Sequence, residues 1–412
     1  MAKMKFIAGL DIGTSKVCAI IGHPNEQGEM EILGVGTAPS TGINKGMVAD
    51  LDKTIKSIER AVAEAEGKAN VDVESLYVSV GGGYIKSQPS RGVIAISRSD
   101  KEITKNDVSQ VIEQARAIPL PLEQDVIHVI PQKFLIDDQN GISDPLGMSG
   151  VRLETEVFIV TGTGTFLQNL SKCVNRAGFR IEDLTFGTWA ASKVILSSDE
   201  KELGVALVDI GGGKVDIVIF IEGRLCYTGS LPFGGSIITR DIAFGLKTSL
   251  AEAEEIKKTY GCAWMNLVKE TEKIAVTGLG NRETRKITRR SLSEIIEPRI
   301  EEILELINTE IQKSGYVDLL PAGVVMTGGT SLMEGIRPFA EQVLHMDVRI
   351  GAPHNVPGLS EELNNPAYSV SVGLIQHGIE QRYTDTGIIK PNSGGRLNPV
   401  IRRIKSWVEE AF

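Results

Sequence analysis

The chain has 412 residues, 42% hydrophobic and 24% charged, with a net charge of −9; that is an ordinary balance for a soluble chain long enough to build two or more cores. The acidic balance excludes a nucleic-acid-binding surface over most of its length, and no apolar run is long enough to span a bilayer. The 4 cysteines form no C-x-x-C and read as reduced cytoplasmic core thiols, and the 5 histidines lack metal-ligand spacing.

In chain order, Phe6 to Leu10 is an apolar strand that runs into Asp11-Ile12-Gly13-Thr14-Ser15-Lys16 and returns over Val17 to Ile21. The apolar start leads directly into this motif, so it reads as a strand and not a signal peptide. Leu51, Ile55, Ile58, Val62 and Ala65 share one helical face over 51–67. Leu76 to Val80 is a strand, and Gly81-Gly82-Gly83 breaks the pattern. Residues 84–163 read as a small self-contained α/β unit. It has a strand at Arg91 to Ser97, a capping-box helix start at Thr104 and Asp107, two strands either side of Pro131, and an alternating strand from Val151. His128 falls in a strand and reads as a residue with a satisfied ring, not a base. Residues 166–196 return to helix–strand–helix.

The motif then repeats. Val205 to Val208 leads into Asp209-Ile210-Gly211-Gly212-Gly213-Lys214, with a return strand over Val215 to Ile221, and the two aspartates lie 209 − 11 = 198 residues apart. Glycine lets backbone N–H groups approach phosphate oxygens, and an aspartate at a strand end can hold magnesium, usually through water. One such hairpin says little; two facing each other would clamp a polyphosphate. A helix at 250–261 carries Glu254 and Lys257, an i,i+3 pair facing the same way. Residues 276–292 are basic (Arg282, Arg285, Lys286, Arg289, Arg290) and read as a hairpin and loop. Ser293 is expected to cap a long helix buried through Ile296, Ile300, Ile303, Leu304, Ile307 and Ile311. A third apolar strand, Gly323 to Thr327, ends in Gly328-Gly329-Thr330-Ser331 and opens a helix, with Thr330 or Ser331 as its N-cap. No G-x-x-x-x-G-K-[ST] P-loop occurs. Pro366 to Gly378 reads as a helix of small residues. Thr384 to Asn398 reads as a flexible tether. From Pro399, the residues Ile401, Ile404, Trp407, Val408, Ala411 and Phe412 share one helical face and Arg402, Arg403 and Lys405 lie opposite.

The triplet of glycine turns resembles the phosphate-1, phosphate-2 and adenosine motifs of the actin/Hsp70/sugar-kinase ATPase superfamily. With the inserted unit and the amphipathic end, the whole chain resembles the FtsA family of bacterial cell-division proteins. Further stretches carry that resemblance: Gly34-Val35-Gly36, Gly42 to Gly46, His128 to Gln132, Gly147 to Arg152, Ile296 to Arg299 and Val348 to Pro353.

The resemblance implies an α/β, actin-like two-lobed fold with ribonuclease-H-like subdomains, an inserted 1C subdomain and a C-terminal amphipathic helix. It divides the chain into 1A (1–83, 164–198, 359–382), 1C (84–163), 2A (199–235, 309–358), 2B (236–308), a linker (383–397) and a membrane-targeting helix (398–412). It implies ATP and Mg2+ in the cleft, with little or no ATPase activity. Gly13, Thr14, Ser15 and Lys16 match phosphate-1, with Lys16 toward the β/γ-phosphates; Gly211, Gly212 and Gly213 match phosphate-2. Asp11 and Asp209 would orient magnesium, largely via water. Glu254 and Lys257 match ribose and adenine contacts, and Gly328 and Gly329 pass under the base. Membrane contact falls to Ile401, Arg402, Arg403, Ile404, Lys405, Trp407, Val408 and Phe412. Implied partners are the FtsZ C-terminal peptide at 2B, FtsN and other divisome proteins at 1C, other copies of the chain in filaments, and anionic lipid. No nucleic acid is implied. The implied location is the cytoplasmic face of the inner membrane at the division site. Lys214 departs from the family, which often has threonine there.

Plainer readings exist for several features. Glu254–Lys257 could be a surface pair worth a few tenths of a kcal/mol, the basic run a solvated face, and the C-terminal stripe a last core helix. A phosphotransferase or phosphatase of the same superfamily, such as a sugar kinase or exopolyphosphatase, is the rival function; it would need a general base in the cleft and no membrane helix.

Overall fold

The computed structural model describes residues 6–25, 30–279, 284–354, 356 and 361–386. The first motif forms an antiparallel hairpin of β1 (Ile7–Ile12) and β2 (Lys16–Pro24), extended by β3 (Met30–Pro39). A small hairpin of β4 (Ile43–Asn44) and β5 (Met47–Val48) leads to α1 (Leu51–Ala69) and then to β6 (Ser75–Val80), which lies parallel to β1. Asp50 caps α1 by accepting from Lys53 N–H at 3.1 Å.

The chain then leaves this sheet for the insert: β7 (Ile85–Ala95), α2 (Lys105–Arg116), β8 (Gln124–Ile136), β9 (Gln139–Ile142) and β10 (Arg152–Thr163), in the sheet order β7-β10-β8-β9. The Thr104/Asp107 capping box is present at the start of α2. The two strands expected either side of Pro131 are one strand. Proline has no N–H for the ladder, and β8 absorbs it in a register shift that leaves Gln132 unpaired with β10.

The chain returns through α3 (Gly164–Arg176) to β11 (Arg180–Phe186), parallel to β6, and then α4 (Gly187–Ile195) and α5 (Ser198–Leu203). The first sheet is therefore β11-β6-β1-β2-β3. His128 of the insert accepts from Phe186 N–H at 2.9 Å and is buried, so its ring nitrogen is satisfied by the backbone.

The second half repeats the plan. β12 (Val205–Ile210), β13 (Val215–Ile221) and β14 (Arg224–Leu231) are antiparallel, followed by α6 (Gly235–Leu246), α7 (Leu250–Tyr260), the hairpin β15 (Lys273–Val276) and β16 (Arg285–Thr288), and α8 (Arg289–Lys313). Next come β17 (Val324–Thr327), parallel to β12, then α9 (Ile336–Leu344) and β18 (Val348–Ile350). The order β18-β17-β12-β13-β14 has the same connectivity as the first sheet. α8 starts one turn before the expected cap. Thr288, not Ser293, receives the Ser291 N–H, at 3.2 Å, and Ser293 is buried inside the helix.

Alternation along β12 divides it between two cores. Val205 and Leu207 join the core of the first lobe, and Ala206, Val208 and Ile210 join the core built with α6, α8 and α9. The chain ends its described course in α10 (Ser369–Thr386), which packs on β1, β2 and α4. That helix continues through 383–386, residues expected to open the linker. The remainder of the linker and the expected helix at 398–412 lie outside the described residues.

Helix α1 crosses β3 at Gly34 and Gly36. A Cβ on Gly36 would collide with the Ala61 carbonyl and lie 2.6 Å from Ala65 N. The clash is with helix backbone, which cannot rotate away. Gly36→Ala should therefore cost about 3 kcal/mol or more, read as a lowered midpoint in urea denaturation; an unchanged midpoint would mean that α1 can slide.

Candidate functional site

The two Asp-Ile-Gly turns are built alike. Gly13 N–H donates to the Lys16 carbonyl and Gly211 N–H to the Lys214 carbonyl, each at 3.0 Å. Thr14-Ser15 and Gly212-Gly213 are thus the turn tips, whose N–H groups fall outside the strand ladder. The tips meet across the cleft. A side chain on Gly212 would collide with Ser15 Oγ, and a Cβ on Gly213 would lie 2.6 Å from Thr14 Oγ1. Asp11 stands opposite Cys18 and Asp209 opposite Asp216, in the same register of the two hairpins.

The two aspartates sit in different surroundings. Ser79 of β6 donates to Asp11 Oδ1 at 2.7 Å and accepts from Ile12 N–H at 3.3 Å. Burial, more than any neighbour, pushes the Asp209 carboxyl up to about 7; Lys214 opposes the shift, and Asp216 and Asp11 add to it. Among the described residues no group of three or more His, Cys, Asp or Glu could hold a metal ion. The two aspartates suit an ion whose remaining shell is phosphate oxygen and water.

The third turn closes over the second. Gly328 takes φ +86°, and a Cβ there would collide with Asp209 Oδ1, so only glycine fits. Gly328 N–H donates to the Pro366 carbonyl at 3.2 Å. Thr330 is not a helix cap. It sits in a single 3-10 turn, α9 starts only after Gly335, and its hydroxyl donates to the Gly211 carbonyl at 3.1 Å. Ser331 instead donates to the Gly328 carbonyl at 2.7 Å. Gly235 and Ser236 N–H groups, at the start of α6, donate to the Gly211 and Gly212 carbonyls at 2.9 and 2.7 Å.

Glu254 and Lys257 reach the same place. Lys257 Nζ donates to Glu254 at 2.7 Å, to Thr239 Oγ1 at 2.8 Å and to the Gly235 carbonyl at 3.0 Å, while Thr239 donates to Glu254. This is more than a surface pair. Burial would raise the Glu254 carboxyl, but the Lys257 ammonium outweighs it and holds it below the usual range. Burial lowers the Lys257 ammonium. Sequence reasoning missed Thr239, one turn into α6 from its glycine start, because its role exists only once α6 and α7 pack.

The two equivalent lysines differ. Lys16 Nζ lies 3.2 Å from the Tyr368 ring centroid, and burial lowers its pKa. Lys214 is ion-paired with the fully buried Asp216, whose Oδ1 accepts from Gly82 N–H at 3.0 Å. Burial would lower the Lys214 ammonium, but Asp216 and Asp209 outweigh it and hold its pKa above the usual lysine value. In the basic stretch, Arg289 is committed within the fold. It donates to the Tyr260 carbonyl at 2.8 Å and pairs with Glu272 at 3.0 Å and with Glu334. Arg285 is exposed on β16, with one contact to the Leu246 carbonyl at 2.6 Å. Arg282 and the C-terminal membrane residues lie outside the described residues. All four cysteines are free thiols, three of them buried.

The raised Asp209 value carries a sign. A carboxyl whose folded pKa lies above its unfolded one destabilises the fold once pH exceeds both, so stability of the ligand-free protein falls between about pH 4 and about pH 7 on this group's account. Asp209→Asn should raise stability at pH 8 by about 1–2 kcal/mol, the full shift being discounted for partial exposure, and leave stability at pH 4 unchanged. Urea denaturation at both pH values checks this; no gain at pH 8 would mean the carboxyl is well solvated.

Two family models match the chain: "Cell division protein FtsA" over residues 206–373 and the SHS2 domain inserted in FtsA over residues 82–161. The cell division protein FtsA of Pseudomonas aeruginosa is 43% identical, the match covering 99% of this chain and 98% of that protein. The Escherichia coli K12 protein is 38% identical, over 99% and 98%, and that of Bacillus subtilis 41%, over 91% and 84%. Among solved structures, a PilM–PilN type IV pilus biogenesis complex chain superimposes with a TM-score of 0.67 at 17% identity, over 92% of this chain and 99% of that one. MreB5 of Spiroplasma citri, bound to ADP, gives 0.55 at 12% identity, over 92% and 98%. The duplicated five-stranded sheets and their facing turns are the actin-like ATPase fold, and the chain, matched along its length, belongs to the FtsA family of cell division proteins.

Proposed function

We propose that the chain is an ATP-controlled, filament-forming adaptor that ties FtsZ filaments to the inner membrane and recruits later division proteins. The carrying observation is the matched pair of Asp-Ile-Gly turns that meet tip to tip, roofed by the Gly328–Thr330 turn. An actin-like fold with bound ADP in a Spiroplasma citri MreB5 supports the same occupancy here. Mg2+-ATP would bring a charged polyphosphate whose state differs before and after hydrolysis. Toward it, Thr14, Ser15, Gly212 and Gly213 offer tip N–H groups, and Asp11 and Asp209 orient the ion through water. Gly13 and Gly211 shape the turns, Lys16 serves the β/γ-phosphates, Glu254 and Lys257 meet the ribose and base, and Gly328 and Gly329 give the base a flat floor. The buried Asp216 beside the second turn is spent on Lys214 and Gly82, so it is not a free base for a phosphotransferase. A switch requires only differential affinity between states.

Within the boundaries given above, 236–308 is assigned to the FtsZ tail and 84–163 to FtsN and other division partners. The exposed Arg285 and Lys286 supply charge for an acidic peptide, whereas Arg289 serves the fold. Reversing Arg285 and Lys286 to Glu should weaken binding of an FtsZ C-terminal peptide at low salt about tenfold or more. Equal binding, by fluorescence anisotropy, removes these residues from the site.

No helix among the described residues is long and apolar enough to cross a membrane. The 398–412 sequence supports docking at the lipid surface through Ile401, Ile404, Trp407, Val408 and Phe412. Arg402, Arg403 and Lys405 would add about 1 kcal/mol each on anionic lipid. One such segment binds weakly, and a filament multiplies it. Trp407→Glu should abolish co-pelleting with anionic liposomes while leaving Mg2+-ATP binding intact in calorimetry. Wild-type pelleting by this variant would sink the anchor, and absence of Mg2+-ATP binding in the parent protein would sink the nucleotide reading.

A further inference from the structure

The Gly81–Gly83 turn joins β6 of the first lobe to β7 of the insert, and the second lobe grips it. Gly82 N–H donates to Asp216 Oδ1 at 3.0 Å. The other oxygen of that fully buried carboxylate holds the Lys214 ammonium. Lys214 occupies the space a Cβ on Gly81 would need, and its Cδ would lie 3.1 Å from a Cβ on Gly46. The grip continues outward. Thr228 of β14 and Ser87 of β7 share a hydrogen bond of 2.8 Å, and Lys133 of β8 pairs with Glu222, in the β13–β14 turn, at 3.0 Å. The same β6 strand carries Ser79, which holds Asp11. A lysine of the second glycine turn thus stands between the cleft and the root of the insert.

We infer that Lys214 and Asp216 form a latch that fixes the root of the insert to the second lobe and is released when a polyphosphate occupies the cleft. This rests on the nucleotide reading above. Lys214 follows the Gly212–Gly213 tip directly, and phosphate oxygens at that tip compete with Asp216 for its ammonium. Asp216, left with only the Gly82 N–H, becomes an uncompensated buried charge. The Gly81–Gly83 turn then has reason to re-seat, and β7 with it. The insert would therefore be held when the cleft is empty and freer when it is filled.

Hydrogen exchange of the full-length protein, followed by mass spectrometry over residues 81–90, tests this with and without Mg2+ and a non-hydrolysable ATP analogue at saturation. In the parent protein the analogue should speed exchange over 81–87 about tenfold. Lys214→Met should show that fast exchange with no nucleotide and respond little to it. Thr228→Val, remote from the glycine turns, should leave analogue binding unchanged and speed exchange around Ser87 in both states. Bound analogue with unchanged exchange in the parent, or a Lys214→Met protein that behaves as the parent does, overturns the latch. If the parent binds no analogue, the nucleotide reading fails, and ligand-free Lys214→Met decides whether Lys214 holds the insert. Should Lys214→Met not fold, parent-like exchange in Thr228→Val overturns the grip.

Discussion

One backbone carbonyl, that of Gly211, accepts from the Gly235 N–H at 2.9 Å and from the Thr330 hydroxyl at 3.1 Å. Three segments remote in sequence are thereby fixed to one atom. The second glycine turn cannot move without α6, and α6 cannot move without Lys257, which is bonded to Gly235 and Thr239. Tertiary closure of this kind converts three flexible glycine stretches into a rigid cradle. The first turn lacks an equivalent: its tip meets the second tip through Thr14 and Ser15, and its aspartate leans on Ser79.

The duplication that built the two lobes left a useful asymmetry. Strand order, turn hydrogen bond and aspartate register are the same in both halves. The residue facing the aspartate is not: Cys18 in one hairpin, Asp216 in the other. A neutral thiol leaves Lys16 to stack on Tyr368, whereas a buried carboxylate captures Lys214 and, through Gly82, the neighbouring lobe. A buried ion pair of this sort adds little net stability, yet losing one partner is costly. Such a contact suits a position that must be either made or fully remade.

Much of this was legible in the sequence because it is local. Apolar strands that end in glycine turns, the 3.6-residue period of α1 and the Thr104/Asp107 box each depend on residues a few positions apart. The misreadings have tertiary or competing-local causes. Ser293 resembled a cap, but Thr288 already satisfied the first turn of α8 and left Ser293 inside the helix. Pro131 suggested a break, and a long sheet partner carried the strand past it. Thr330 resembled a cap and became a hydrogen-bond donor to the second glycine turn. Arg289 belonged to a basic run, yet Glu272 and Glu334 take its charge. Helix α10 outlasted its small-residue pattern because β1, β2 and α4 hold it from one side. Lys214 stood out only as an oddity, since its partners, Asp216 and Gly82, come together only through the fold.

The thiols described above have a practical chemical consequence. Burial pushes Cys18 and Cys173 up to about 11, and burial also raises Cys226 and Cys262. Thiolate is the attacking species, and at neutral pH a group at 11 is ionised in only about one molecule in ten thousand. Cys18 and Cys173, buried and held protonated, are thus slow toward maleimides, mild oxidants and disulfide exchange. A single exposed cysteine placed on the insert or on the second lobe would out-react these two, and slow labelling of Cys18 and Cys173 would itself report opening of the core around them.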